Sequence, residues 1–144
     1  MIASLRGTVV SKDLESLVLE VSGVGHEVHV TGATAARLPA PGAEALLLVA
    51  ASYAMYGGGE TLYGFLSQSE KEMFCAFRDE IPGTGAKKAL EYLDKASKSL
   101  PDFRRAVFDR DEKILCGVFG FSKKTASKII DALKGKMDEL RVAG

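Results

Sequence analysis

The sequence lacks several features that would place it in a particular class of protein. It has only two cysteines, Cys75 and Cys116, and neither lies in a Cys-x-x-Cys motif, so we expect two buried, reduced thiols. The longest uncharged apolar run, Ala45 to Ala51, is far too short to span a bilayer. The first residues lack the layout of a signal peptide. These absences favour a cytoplasmic protein with no membrane partner.

The 144 residues also lack a net charge, since 19 basic side chains balance 19 acidic ones. The charge is unevenly distributed, however. Residues 1–66 carry three basic and six acidic side chains, whereas residues 67–144 carry sixteen basic and thirteen acidic ones. A cationic half joined to an anionic half indicates one nucleic-acid-binding face on a bipartite molecule. Ordinary scatter of charge is the alternative interpretation.

Residues 1–66 are expected to form a small β-barrel domain. Leu17 to Val21 and His26 to Val30 alternate in hydrophobicity, which is typical of half-buried strands. The run from Ala45 to Met55 and the segment from Thr61 to Leu66 predict two further strands. Five or six short strands in about sixty residues favour a closed barrel such as the OB-fold.

Two histidines in this half could suggest a metal site. His26 and His29 are three residues apart on a predicted strand, so their side chains should point to opposite faces. We therefore expect two ordinary strand histidines and no metal ion.

Residues 67–144 are expected to form an all-α domain, which makes the protein α+β overall. The predicted helix N-caps are Ser69, Asp109 and Ser122, and the first two have a glutamate three residues later, as in a capping box. An apolar stripe at helical spacing predicts a helix core: Met73, Phe74, Phe77 and Ile81.

The most informative feature is an internal repeat in this half. The segment Pro82-Gly83-Thr84-Gly85-Ala86-Lys87-Lys88-Ala89 is followed by a helix, and thirty-seven residues later Phe119-Gly120-Phe121-Ser122-Lys123-Lys124-Thr125-Ala126 is followed by another. Each copy is a helix, a glycine-containing turn, basic residues and a second helix, the pattern of a helix-hairpin-helix motif.

The lysines of the repeat lie where a helix alone would not favour them. They fall in the first helical turn, where their charge opposes the helix dipole. The same end of a helix presents unpaired N–H groups that suit a phosphate. Two solvated helical hairpins are the structural alternative. The repetition favours contact with DNA backbone phosphates, and the candidate residues are Gly83, Thr84, Gly85, Ala86, Lys87, Lys88, Gly120, Phe121, Ser122, Lys123, Lys124 and Thr125.

The order of these elements resembles the RuvA family over almost the whole chain. The opening Met-Ile-Ala-Ser-Leu-Arg-Gly-Thr is similar to that family's first strand. The segment from Val21 to Val30 is similar to its Gly-Val-Gly-Tyr-Glu-Val motif, with His26 where tyrosine is usual. Leu62-Tyr63-Gly64-Phe65 resembles the end of its barrel, and the segment from Gly120 to Ala126 resembles its second hairpin, Gly-Ile-Gly-Lys-Lys-Thr-Ala.

The resemblance implies a DNA-binding homotetramer that holds an open four-way Holliday junction on one basic face during recombination and repair. It implies no catalytic residues and no cofactor, because a partner ATPase motor, RuvB, drives branch migration in this family. The fold implied is an OB-fold barrel followed by two helix-hairpin-helix motifs.

Three departures from the family pattern qualify these expectations. The family carries two acidic residues on the hairpin between its last barrel strands, as a central pin, whereas the corresponding segment Tyr56-Gly57-Gly58-Gly59-Glu60 keeps only Glu60 as a candidate. The first hairpin is shorter than usual, and Ser122 replaces the second glycine of the second hairpin. The family's C-terminal motor-binding domain has no counterpart before Gly144, so that domain was removed or is absent, and its absence would put motor coupling in doubt.

Three other functions compete with junction binding. A general duplex-binding module with the same folds would be a monomer or dimer. A DNA glycosylase would need an aspartate some twenty residues beyond a hairpin, a spacing that only Asp138 approaches. A single-strand-binding barrel would need exposed aromatic and basic residues. The aromatic residues are present, as Tyr53, Tyr56, Tyr63 and Phe65, but core packing explains most of them better.

Overall fold

The computed structural model describes residues 1–54 and 56–137. The chain forms two compact units, one from Met1 to Lys71 and a second that begins at Glu72. The assignment of residues 1–66 and 67–144 to separate functional domains stays a prediction. No helix in the described part of the chain is long and apolar enough to cross a membrane.

The first unit is a closed five-stranded β-barrel. Its strands are β1 (Ser4–Lys12), β2 (Ser16–Val21), β3 (Val24–His29), β4 (Glu44–Tyr53) and β5 (Glu60–Phe65). They are arranged in the order β1-β2-β3-β5-β4, and β4 pairs with β1 to close the barrel. All neighbouring strands are antiparallel except β3 and β5, which are parallel. This partly Greek-key closure confirms the predicted OB-like fold.

Alternating side chains of these strands fill the barrel interior. Leu17 and Leu19 of β2 are buried, as are Leu47 and Val49 of β4. Because side chains on a strand alternate between its two faces, this spacing sends one face of each strand into a common core. Tyr63 and Phe65 are also buried, which confirms core packing for two of the four barrel aromatics.

A short helix between β3 and β4 was missed by the sequence analysis. This helix, α1 (Gly32–Arg37), begins at the N-cap Thr31, whose hydroxyl accepts the N–H of Thr34 at 3.0 Å. The Thr34 hydroxyl in turn donates to Glu70 at 3.4 Å. One turn of small residues has no apolar periodicity, so capping and tertiary contacts define this helix rather than propensity.

The second unit is helical. Helix α2 (Gln68–Glu80) begins in the last residues of the first unit and continues into the second. It is followed along the chain by α3 (Ala86–Ala96), α4 (Leu100–Phe108), α5 (Glu112–Gly117) and α6 (Lys123–Leu133). A barrel followed by helices confirms the predicted α+β class. The predicted strand from Ala45 ends earlier than expected, at Tyr53, and Met55 lies outside the described residues.

Two of the three predicted N-caps are wrong by two residues. At the start of α2, Ser67 rather than Ser69 is the cap, and its hydroxyl accepts the Glu70 N–H at 3.2 Å. Asp109 is the C-cap of α4, whereas Asp111 caps α5 by accepting the Ile114 N–H at 3.1 Å. Ser122 caps α6 as predicted.

A cluster of aromatic rings forms the centre of the second unit. Phe103 of α4 contacts the rings of Phe77, Phe119 and Phe121, with centroids 5.6 to 5.9 Å apart. Tyr92 of α3 joins Phe77 to Phe121 by edge-to-face contacts. Such pairs stabilise a fold beyond the area that they bury.

The two cysteines lie outside the buried core. Cys75 and Cys116 are free thiols, as expected, but both are only half-buried, so the expectation of buried thiols was wrong. Each lies beside the buried face of its helix: Phe74 and Leu115, one position earlier, are fully buried.

Candidate nucleic-acid interface

The two halves of the repeat have the same backbone design. Helices α3 and α6 are each 11 residues long, and each begins three positions after the glycine of its turn. Gly83 and Gly120 have φ angles of 76° and 82°, a left-handed conformation that strongly favours glycine. Ala89 and Ala126, at matching positions, are fully buried. The turn and the packing of the following helix are therefore repeated together.

The first turns of α3 and α6 differ in charge from those of their neighbours. Helices α2, α4 and α5 each have an acidic residue in the first turn, which complements the helix dipole. Helices α3 and α6 have none, and carry two lysines there instead. Each such lysine costs the isolated helix about 0.3–1 kcal/mol. An anion bound at these helix ends would reverse that cost.

The lysines of both helix ends are accessible to such an anion. The side chains of Lys87, Lys88, Lys123 and Lys124 are all exposed. The ion pairs formed among the described residues involve other cations, namely His29, Arg78 and Lys136. None of these ion pairs, found within the described part of the chain, involves a lysine of either helix end.

The first hairpin leaves its helix N-terminus uncapped. Gly85 occupies the N-cap position of α3 and supplies no side-chain hydrogen bond, so the N–H groups of Ala86, Lys87 and Lys88 receive no cap from it. The turn is fixed by one backbone bond from Thr84 N–H to the Ile81 carbonyl at 3.2 Å and by the buried Ile81 side chain. This end of the hairpin presents free donors to a ligand.

The second hairpin is held more firmly. The Ser122 hydroxyl accepts the Thr125 N–H at 3.1 Å and donates to the Thr125 hydroxyl at 2.9 Å. Phe119 and Phe121, on either side of Gly120, are buried in the aromatic cluster. Phe121 can therefore contribute only its backbone to a binding surface, although the sequence analysis included it among the candidate residues.

Two lysines of the first hairpin contact the second, and neither was predicted from the sequence. Lys95, in the last turn of α3, donates to the Gly120 carbonyl at 3.2 Å and lies over the Phe121 ring at 5.4 Å. Lys98 donates to the Val118 carbonyl at 3.0 Å. A basic residue near a helix C-terminus is a recognisable sequence signal, but it does not identify a carbonyl in another loop. These contacts fix the second turn against the C-terminal end of α3 and the residues that follow it.

The hairpin between β4 and β5 differs from the predicted acidic pin. Glu60 lies on β5, opposite Tyr53 of β4, rather than at the tip. A hydrogen bond to Glu60 raises the pKa of Tyr53 above its ordinary value, with smaller contributions from desolvation and the negative charge of Glu60. The tip itself carries Tyr56 and three glycines. A pin role for Glu60 stays a prediction.

The sequence raised two alternatives, a histidine metal site and a glycosylase acid. No group of three or more potential ligands in residues 1–54 and 56–137 could hold a metal ion. His29 pairs with Glu27 on its own strand, at 3.3 Å between Nε2 and Oε1. Asp138, the acid considered for a glycosylase, lies outside the described residues.

Comparisons with known proteins agree with this architecture. Residues 1–64 match the family model described as the RuvA N terminal domain, and residues 79–136 match the model described as a SAM-like helix-hairpin-helix tandem. A "Holliday junction branch migration complex subunit RuvA" of Elusimicrobium minutum is 45% identical over 144 residues, which are 100% of this chain and 70% of that protein.

Two further relatives carry the same name. The protein of Endomicrobium trichonymphae is 41% identical over 143 residues, with 99% of this chain and 70% of its own length covered. The protein of Opitutus terrae is 36% identical over 137 residues, which are 95% of this chain and 66% of that protein. The second matched region contains both hairpins.

Proposed function

This chain belongs to the RuvA family, and from that premise we propose that it binds four-way Holliday junctions as a subunit of a branch migration complex. The two helix-hairpin-helix motifs hold the DNA through its backbone phosphates, and the barrel unit completes the subunit. Phosphate contacts position a protein on DNA without reading its sequence. The ligand is therefore selected by its branched structure.

The observation that carries this proposal is the pair of equivalent helix ends. Gly83 and Gly120 form the same left-handed turn, and the lysine pairs Lys87–Lys88 and Lys123–Lys124 follow on helices of equal length. Each end combines N–H donors, the positive end of a helix dipole and two cations. The site residues of the hairpins are, in this proposal, Gly83, Thr84, Gly85, Ala86, Lys87, Lys88, Gly120, Phe121, Ser122, Lys123, Lys124 and Thr125.

We propose further that the protein acts without catalysis of its own. Its partners are copies of itself in a homotetramer and a RuvB-type ATPase that supplies the work of branch migration. A tetramer with fourfold symmetry would place one subunit on each arm of the junction. The weak phosphate contacts of the four subunits would then act together and raise the overall affinity. We also propose that it acts in the cytoplasm, since its ligand is an intermediate of DNA recombination.

Gel retardation of a four-way junction and of a linear duplex with the same total length tests the proposal. We expect selective retardation of the junction and a steep loss of affinity with salt, because counterions are released from the DNA. Light scattering on the same sample should report a tetramer. Equal affinity for junction and duplex, with a monomer or dimer in solution, would assign the chain to general duplex binding instead.

A further inference from the structure

Two tyrosines of the β4–β5 hairpin, Tyr56 at its tip and Tyr53 at the end of β4, are exposed, although most aromatic residues of the chain are buried. The side chain of Tyr56 is 91% exposed and that of Tyr53 is 59% exposed. In contrast, Tyr63 and Phe65, farther along the same hairpin, are buried in the barrel. Core packing therefore does not account for Tyr53 and Tyr56.

The surroundings of Tyr56 leave its ring open. Gly57, Gly58 and Gly59 follow it directly, so no side chain from these residues can cover either ring face. The hairpin is closed below the tip by a backbone bond from Ala54 N–H to the Gly59 carbonyl at 3.1 Å. Below that bond, Tyr53 pairs with Glu60 across the strands. An aromatic ring thus projects from a closed, two-stranded support.

The charge of the tip limits what the ring can contact on DNA. Glu60 is the only charged residue from Tyr53 to Glu60, and its carboxylate repels phosphates. A nucleobase offers a π-face without a charge, and aromatic side chains stack on bases of any sequence. Bases in a continuous duplex are already stacked on their neighbours. An accessible face occurs where pairing or stacking is interrupted.

We propose that Tyr56 is a base-stacking residue that contacts an unpaired or unstacked nucleobase of the bound DNA. The ligand class is an open base, as at a point of strand exchange, and Tyr56 distinguishes it from continuous duplex. The inference rests on the proposed junction binding. It assigns attraction by an aromatic ring to the tip, beside the repulsion that Glu60 exerts from the start of β5.

Photocrosslinking with 5-iodouracil tests this contact, because the halogenated base reacts with aromatic side chains stacked on it. The base is placed either at the crossover of a four-way junction or in the middle of one arm, and crosslinked peptides are identified by mass spectrometry. We expect a crosslink to Tyr56 from the crossover and none from the arm. A crosslink of equal yield from the arm would overturn the proposal.

Substitutions separate stacking from general apolar contact. Tyr56→Leu should lower junction affinity at least about tenfold and leave duplex affinity unchanged, since stacking on even one base is worth a factor of this order. Tyr56→Phe keeps the ring and should bind normally. Val24→Ala, at a 56% exposed position elsewhere on the barrel, is the matched control and should have no effect.

The outcomes distinguish this inference from the function on which it rests. Normal junction selectivity in Tyr56→Leu, without a Tyr56 crosslink in the wild type, would reject the stacking role and leave junction binding intact. Loss of the tetramer in Tyr56→Leu would mean that the tip contacts another copy of the chain, which also rejects it. If the wild type shows no junction preference, a Tyr56 crosslink to 5-iodouracil in a single-stranded tail would still support stacking.

Discussion

The two helix-hairpin-helix motifs have the same backbone conformation at their turns but are stabilised by different contacts. In the first, Gly85 leaves the N-terminus of α3 uncapped, and the turn is anchored by Ile81. In the second, Ser122 caps α6, and buried Phe121 anchors the turn in the aromatic cluster. The comparison shows that a repeat can preserve the conformation of its turn while the supporting contacts diverge. It also separates two properties, stability and binding, that can be tested one hairpin at a time.

The largest expected difference between the hairpins is in stability. Phe121→Ala removes a buried ring from the aromatic cluster and should lower the free energy of unfolding by about 3–5 kcal/mol. Thr84→Ala, at the equivalent position of the first hairpin, should change it by less than about 0.5 kcal/mol. Urea unfolding followed by helical circular dichroism measures both. Similar losses in the two variants would show that the anchoring is not asymmetric.

In the charge that their lysines contribute to phosphate binding, by contrast, the two hairpins should be equal. Replacing Lys87 and Lys88 by glutamine should lower junction affinity at low salt by at least about tenfold, and should reduce the salt slope by about two for each subunit of the proposed tetramer. Replacing Lys123 and Lys124 should have the same effect, because each pair occupies the first turn of its helix. Affinity measured over a range of salt concentrations checks this, with Lys113→Gln as an exposed control. A large loss of affinity from one pair alone would mean that a single hairpin binds the DNA phosphates.

Removing or adding a helix N-cap should change protein stability and junction affinity in opposite directions. Ser122→Ala removes the bond to Thr125 N–H and should cost about 1 kcal/mol. Gly85→Ser should add a few tenths of a kcal/mol of stability in the first hairpin. Its hydroxyl would also occupy the Lys88 N–H, so junction affinity should fall even though the protein is more stable. Increased affinity in Gly85→Ser would show that the uncapped donors do not bind phosphate.

The smallest expected effect concerns the contact between the hairpins. Lys95→Met removes the bond to the Gly120 carbonyl and the cation over the Phe121 ring, and should cost about 0.5 kcal/mol at this exposed position. Hydrogen exchange should become faster at the Gly120 and Phe121 amides and stay unchanged at Thr84. Lys113→Met serves as the control. Unchanged exchange in the second turn would mean that Lys95 does not support it.

The features predicted correctly from the sequence are those set by periodicity and repetition. Alternating residues such as Leu17 and Leu19 predicted barrel strands, and the shared spacing of Gly83 and Gly120 predicted equivalent turns. The family resemblance is confirmed by relatives that match almost the whole chain. These signals are local or repeat along the chain, so they can be recognised in the sequence without knowledge of tertiary contacts.

The features that were predicted wrongly depend on alternatives between which the sequence alone does not distinguish. Ser67 and Ser69 both precede a suitable N–H donor, and Ser67 caps α2 because its hydroxyl also donates to Glu70 at 3.1 Å. Asp111 rather than Asp109 caps α5 because α4 continues to Phe108 and Arg110 turns the chain with a φ of 56°. The exposure of Tyr56 likewise depends on where the barrel core ends.

Barrel closure has a consequence for the order in which the protein folds. Strand β1 pairs with β4, so that Ser4 lies opposite Leu48, and β3 pairs in parallel with β5. Both pairings join distant parts of the chain, and their loop-closure entropy must be overcome before the barrel core forms. Each hairpin of the second unit, in contrast, forms between neighbouring helices. The helices of the second unit should therefore form before the barrel, although they are synthesised after it.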